Sequence, residues 1–301
     1  MTSLKRLINI IPSAAYNVPL APYTTWKIGG NAELFWEPEI HRLPEVIRYC
    51  YKYNIPVHYL GRGSNVLISD DGLKGLVICT KKALQEIEFK DNCIEAESGV
   101  PLPKLARFAA KHGFGGYEFL IGIPGTVGGG IVINAGLTAK KRLEISDLLL
   151  EVELLYPDGS LKWKNRDELG LTYRSSNILD QSIFVTKARF KPTWHASEKE
   201  IRAKTAEHLA DRRRKQPLSK ATAGSTFKQP PGGKPAGWYI DKAGLKGFQI
   251  GGVKVSEKHA NWLINTGSAT SEDIMKLMNH IITEVENSFG VILESEVRYL
   301  E

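Results

Sequence analysis

From Ile121 to Gly136 the chain reads I-G-I-P-G-T-V-G-G-G-I-V-I-N-A-G, and a shorter glycine loop, G-R-G-S-N, stands at Gly61 to Asn65. Glycine lacks a Cβ, so other atoms can approach its backbone closely and φ can be positive. Successive N–H groups in such turns form concave anion sites, chiefly for phosphate oxygens. One glycine loop can be no more than a tight turn. Between Gly113 and Gly136, however, nine of 24 positions are glycine, where 28 in 301 would give about two. Each loop leads into a β-branched apolar run, which predicts two strand-loop units gripping a diphosphate-bearing cofactor. Neither common nucleotide signature is present. The third glycine of G-x-G-x-x-G is missing after Gly61-Arg62-Gly63-Ser64-Asn65, and a strand is predicted there where that fingerprint opens a helix. No G-x-x-x-x-G-K-[ST] string occurs.

At 301 residues the chain has room for two or three compact domains. Its apolar and charged contents, 42% and 24%, allow a sizeable core. The net charge of +7 suits either nucleic acid or a cleft for small anions. Basic residues are mostly interleaved with acids, which argues against nucleic acid. The dense run Arg212 to Lys215 follows a predicted helix over 197–211 and reads as a solvated helix end or a binding element. Cys50, Cys79 and Cys93 lack metal-ligand spacing and read as buried thiols in a reducing compartment. No metal site is expected. No apolar run reaches the roughly 18 residues of a membrane span, and the start of the chain is too short in apolar residues for a signal peptide. The expectation is a cytoplasmic monomer with no membrane or nucleic-acid partner.

The apolar spacing at 43, 46, 47 and 50 predicts a helix over Leu43–Tyr53 among short strands at 34–36, 57–60, 66–68 and 76–79. Strands follow at 86–89 and 94–97, then a helix near 103–112. A hairpin is predicted over 148–163 with its turn at Pro157-Asp158-Gly159, then a strand over 182–190. The last third predicts a short helix over 237–242, strands at 249–255 and 261–265, a helix over 271–289 and a closing strand at 291–298. The boundaries expected are 1–80, 81–195 and 196–301.

Several strings recur in order along the chain: T-W-K-I-G-G at Thr25–Gly30, the two glycine loops, Y-R-S-S at Tyr173–Ser176, R-x-x-x-Q-P at Arg212–Pro217, A-G-S-T-F-K at Ala223–Lys228, G-x-Q-I-G-G at Gly247–Gly252, and E-S-E-V-R at Glu294–Arg298. Over about residues 24–298 the chain thereby resembles the UDP-N-acetylenolpyruvoylglucosamine reductases, also called UDP-N-acetylmuramate dehydrogenases. The resemblance implies an α+β fold: a two-part FAD-binding domain of the vanillyl-alcohol-oxidase type (1–80 and 81–195) and a C-terminal α+β substrate-binding domain (196–301). It implies FAD as cofactor, with NADPH as reducing co-substrate. The reaction implied is reduction of UDP-N-acetylenolpyruvoylglucosamine to UDP-N-acetylmuramate in peptidoglycan precursor synthesis.

Hydride delivery to C3 of an enolpyruvyl ether leaves charge at C2, delocalised onto the carboxylate, and C2 must then be protonated. That chemistry calls for a fixed cation and a positioned acid. By motif position the resemblance assigns Arg174 as the cation, Ser225 as proton donor, aided by Lys228 or a water, and Glu296 to the enolate carboxylate region. Without it, Arg174 reads as a surface arginine, Ser225 as a turn serine beside Gly224, and Glu296 as a strand-edge carboxylate. Cofactor contacts are expected from Gly61, Arg62, Gly63, Ser64, Asn65, Ile123, Pro124, Gly125, Thr126, Gly128, Gly129 and Tyr173. Substrate contacts are expected from Lys228, Gln229, Arg213 and Lys246.

The chain departs from the family in places. Gln229 stands where the family often has Asn, and Leu137-Thr138-Ala139 where it often has Ala-Tyr-Gly. The short segment between Arg174 and Trp194 marks a shorter subtype. The alternatives are a flavin oxidase of the same domain type, and a basic nucleic-acid or carbohydrate-binding module. His58 and His112 lie near the loops but outside their motifs, so non-covalent FAD is expected.

Overall fold

The structure, a computed structural model, describes residues 3–137 and 142–301. Thr138 and Ala139, where the family pattern was expected to break, lie outside the described residues. The chain divides into two compact units. Unit 1 comprises 1–16, 34–62 and 75–211, and unit 2 comprises 17–33, 63–74 and 212–301.

Unit 1 has two apolar cores. In the first, α1 (Ser3–Ile10) and α2 (Leu43–Lys52) pack their apolar faces with strands of a small sheet. Leu7, Leu43, Val46 and Cys50 are completely buried there. The strands at 57–60 and 76–79 pair in parallel. The second core lies beside a five-stranded antiparallel sheet in the order Leu161–Asn165, Leu149–Leu155, Phe184–Phe190, Cys93–Glu97, Ile87–Lys90. Here α3 (Leu102–Lys111) buries Leu102, Leu105, Ala106 and Ala109, the i, i+3, i+4, i+7 face of an amphipathic helix. The predicted hairpin is the Leu149–Leu155/Leu161–Asn165 pair, turning at 156–160.

The second glycine loop departs from expectation. Its apolar run enters a helix, α4 (Val127–Val132), and not a strand. Thr126 supplies the reason: its Oγ1 accepts a hydrogen bond from Gly129 N–H, capping the first turn. Periodicity alone does not separate a short apolar run in a buried helix from one in a strand.

Two helices, α5 (Glu198–Lys215) and α6 (Ala236–Lys242), precede α7 (Ser271–Phe289), on which unit 2 is built and whose Ile274, Leu277, Ile281 and Val285 are fully buried. Its start is a capping box between Thr270 and Asp273. The predicted strand 249–255 is broken into Gln249–Ile250 and Val253–Val255, which pair with each other across Gly251-Gly252. Gly251 has φ of +51, which lets the chain reverse. The predicted closing strand 291–298 is also corrected: the strand is Arg298–Leu300, parallel to Val66–Ile68. Glu296 therefore lies before the strand. Its N–H donates to Thr226 O, whereas Arg298 N–H donates to Asn65 O, so the chain changes partner between the two residues and no continuous ladder forms.

Candidate functional site

In unit 1 the two glycine loops meet. A Cβ on Gly61 would lie 2.6 Å from Thr126 Oγ1, a contact real side chains do not make, so this approach requires glycine. Not every amide of the second loop is available to a ligand. Ile123 N–H donates to Leu120 O, Val127 N–H to Val100 O and Gly128 N–H to Ser98 O. Among the described residues, nothing accepts from the N–H of Gly125 or Thr126. The buried Ser98 Oγ beside Gly128 likewise has no partner there. Unmet backbone and side-chain donors of this kind are costly when buried and suit an anionic ligand. Pro124 and Gly129 are exposed, and Ile123, Gly61 and Arg62 half-buried.

Tyr173 and Arg174 form the tip of a two-residue loop in unit 1. Thr172 N–H donates to Ser175 O at 3.1 Å and Ser175 N–H returns the bond to Thr172 O at 3.2 Å. Arg174 has φ of +56, a left-handed conformation that costs a non-glycine residue on the order of 1–3 kcal/mol. Its Nη2 donates to Gly136 O at 2.8 Å, which ties the arginine to the end of the glycine-rich segment. The guanidinium lies 4.9 Å from the centre of the Tyr173 ring.

In unit 2, Gly63 has φ of +59 and its carbonyl accepts from Thr25 N–H. Among the described residues nothing accepts from the amides of Gly63, Ser64 or Asn65. The Asn65 side chain donates instead to Glu296 O at 3.0 Å, so the first loop and the E-S-E-V-R string are brought together. Ser225 is half-buried in an extended segment opposite Trp262. Asn261 clamps that segment: its Oδ1 accepts from Phe227 N–H and its Nδ2 donates to Phe227 O. Lys228 N–H donates to Glu294 O, and its Nζ stands 3.3 Å from the Glu294 carboxylate. Gln229 Nε2 donates to Gly233 O.

The basic run at 212–215 is not uniformly solvated. It forms the last turn of α5 (Glu198–Lys215), and Arg212 is only 9% exposed. Its Nε donates to Gln216 Oε1 at 2.9 Å, but its Nη1 is buried with no partner among the described residues. Burial pulls the guanidinium down to about 10. His259 is held below its ordinary range first by burial, and also by the positive charge of Lys246 and Arg212. Arg213 is exposed, as is Lys246, which pairs with Asp241 at 2.7 Å.

Sequence comparison gives these features a common origin. The FAD binding domain family matches residues 39–164, and the UDP-N-acetylenolpyruvoylglucosamine reductase C-terminal domain matches 216–300. The UDP-N-acetylenolpyruvoylglucosamine reductase of Agathobacter rectalis is 40% identical over 94% of this chain and 92% of its own. That of Listeria welshimeri is 42% identical over 96% of this chain and 95% of its own. The chain belongs to the UDP-N-acetylenolpyruvoylglucosamine reductase family. A crystal structure of the Thermus caldophilus reductase superposes with a TM-score of 0.79 at 32% identity, covering 96% of this chain and 98% of that one. The expected fold class, a two-part FAD-binding domain followed by a C-terminal α+β domain, is borne out. The protein is an FAD-binding oxidoreductase.

Within this reductase the structure groups Gly61, Thr126, Tyr173 and Arg174 in unit 1, and Gly63, Asn65, Ser225, Lys228 and Glu296 in unit 2. The sequence expectation names Arg213, whereas the buried arginine of this run is Arg212. The R-x-x-x-Q-P string, which begins at Arg212 and whose Gln216 accepts from it, was the available signal. Among the described residues no cluster of potential metal ligands occurs, and no helix is long and apolar enough to cross a membrane.

Proposed function

We propose that this enzyme carries out the NADPH-dependent, FAD-mediated reduction of UDP-N-acetylenolpyruvoylglucosamine to UDP-N-acetylmuramate, a cytoplasmic step in peptidoglycan precursor synthesis. Residues 1–80 and 81–195 then serve FAD and 196–301 the substrate, with residues 63–74 compacting with unit 2. The amides of Gly125 and Thr126, unpartnered among the described residues, fit the diphosphate of FAD, with Gly61 giving the close approach in the same unit. Bound FAD would supply the hydride chemistry, taking a hydride from NADPH and giving it to C3 of the enolpyruvyl ether.

The protein's part is to hold the substrate and manage charge and proton. Arg174 pairs with the substrate carboxylate and stabilises the charge that develops on it, since a guanidinium stays ionised and binds carboxylates bidentately. Ser225 Oγ gives the proton to C2, and Glu296 lies against the enolate carboxylate region. Lys228 and Gln229 contact the nucleotide sugar. The buried charge of Arg212, with His259, supports placing the substrate diphosphate against them, where an anion would complete an incomplete site. Arg213 and Lys246 would add long-range attraction. The observation that carries the reading is Arg174 held in a strained backbone conformation at a loop tip. Such strain persists where the surroundings impose it and clusters at functional sites.

The test uses the purified holoprotein under anaerobic conditions. NADPH should bleach the oxidised flavin spectrum, and the enolpyruvyl nucleotide sugar should restore it. A reduced spectrum that persists in the presence of that sugar would overturn the assignment.

A further inference from the structure

Asn134 stands just beyond α4, completely buried and with φ of +44. Its side chain is fully engaged. Nδ2 donates to Glu144 Oε2 at 3.1 Å and to Thr172 O at 3.0 Å, and Oδ1 accepts from Ser146 N–H at 3.2 Å. Its backbone carbonyl accepts from Arg174 Nη1 at 3.4 Å. Thr172 is the residue that opens and closes the two-residue loop bearing Arg174. One residue therefore grips that loop at its base through a side chain and the guanidinium at its tip through a carbonyl. The contacts continue into a ring: Glu144 Oε1 lies 3.8 Å from Arg142 Nε, the Arg142 guanidinium lies 4.2 Å from the Tyr173 ring centre, and the other guanidinium near that ring is Arg174.

We propose that Asn134 is a positioning residue that sets the orientation of Arg174 toward the substrate carboxylate. The inference rests on the carboxylate-binding role given to Arg174 above. A neutral amide is the group this place requires. It offers two donors to two acceptors and one acceptor to a backbone donor. An aspartate would set a second carboxylate against Glu144 and offer no donor to Thr172 O. The left-handed backbone adds a second demand, which asparagine tolerates better than most residues.

Asn134→Gly isolates the side chain, because glycine keeps both the positive φ and the carbonyl that receives Arg174. The holoenzyme is titrated calorimetrically with the enolpyruvyl nucleotide sugar and with UDP-N-acetylglucosamine, which lacks the carboxylate. Affinity for the first should fall about tenfold, the loss of one well-made charge-assisted bond, while affinity for the second stays within about twofold. Flavin reduction by NADPH should match wild type, and re-oxidation by the enolpyruvyl sugar should slow. Equal losses for both ligands, or loss for neither, would overturn the proposal. If Asn134→Gly does not retain FAD, Glu144→Ala decides: it removes one acceptor of the Asn134 amide and leaves the backbone bond, so a smaller loss with the same selectivity is expected. No selectivity in that variant would equally overturn it. A wild-type enzyme that binds the two ligands alike would instead refute the role of Arg174, a separate failure.

Discussion

Arg212 carries a charge into the protein, and among the described residues no carboxylate pairs with it. Taking an ion out of water costs several kcal/mol even after relaxation, so the unliganded protein bears a penalty here. Arg212→Met keeps the apolar stem and removes that penalty. The variant should unfold in urea at a midpoint equal to or higher than wild type. Its affinity for UDP-N-acetylglucosamine should drop about tenfold or more, the worth of a charged hydrogen bond to phosphate. A large loss of stability with unchanged affinity would make Arg212 a structural residue instead. This position also marks the limit of what a lone sequence discloses. R-R-R-K looks the same at all four positions, and only packing decides that the first is buried while the next three are exposed. Arg174, Ser225 and Glu296 stand out as candidates only because each sits in one of the strings that carry the family resemblance, whereas the left-handed φ of Arg174 leaves no mark in its residue type.

Among the elements, those with long periodic patterns were read well: α7 was bounded at its observed ends, and α2 and α3 were placed within a residue or so. Short glycine-rich pieces were not, because their conformation is set by partners far along the chain. The contact between the first glycine loop and α4 shows this coupling. Gly61 needs its bare backbone because Thr126 Oγ1 occupies the space a Cβ would take, and Thr126 is held there as the cap of α4. Gly61→Ala should therefore cost about 1–3 kcal/mol through overpacking. Thr126→Ala should cost about 0.5–2 kcal/mol through the lost cap. The two changes share one contact, so the double variant should lose clearly less than the sum, which urea unfolding of the three proteins would reveal. Strict additivity would show that the loops do not press on each other. The split of 249–255 and the partner change at Glu296 have a similar origin: a two-residue turn and a switch of hydrogen-bonding strand carry no periodicity to read.

For the molecule as a whole, the order of residues in the chain is a poor guide to which residues make one core. The core of unit 2 takes Trp26, Ile28 and Leu67 from the first quarter of the chain. Trp26 is fully buried, its Nε1 donates to Leu263 O at 2.9 Å, and Asn265 Nδ2 returns a bond to Trp26 O at 2.8 Å. Among the described residues the last strand, Arg298–Leu300, pairs only with Val66–Ile68, and Asp70 accepts from both Ser271 N–H and Ser271 Oγ at the start of α7. A fragment of residues 212–301, which contains the whole match to the reductase C-terminal domain, would lack all of these partners. Losing a buried tryptophan alone costs about 3–5 kcal/mol, a large share of the 5–15 kcal/mol that stabilises a typical domain. The fragment should show no cooperative thermal transition by near-ultraviolet circular dichroism and should bind hydrophobic dye. The whole chain should unfold with a sharp transition under the same conditions. A fragment that melts cooperatively would mean that α7 and its sheet suffice for a core, and that the two early segments only cover a domain already folded without them.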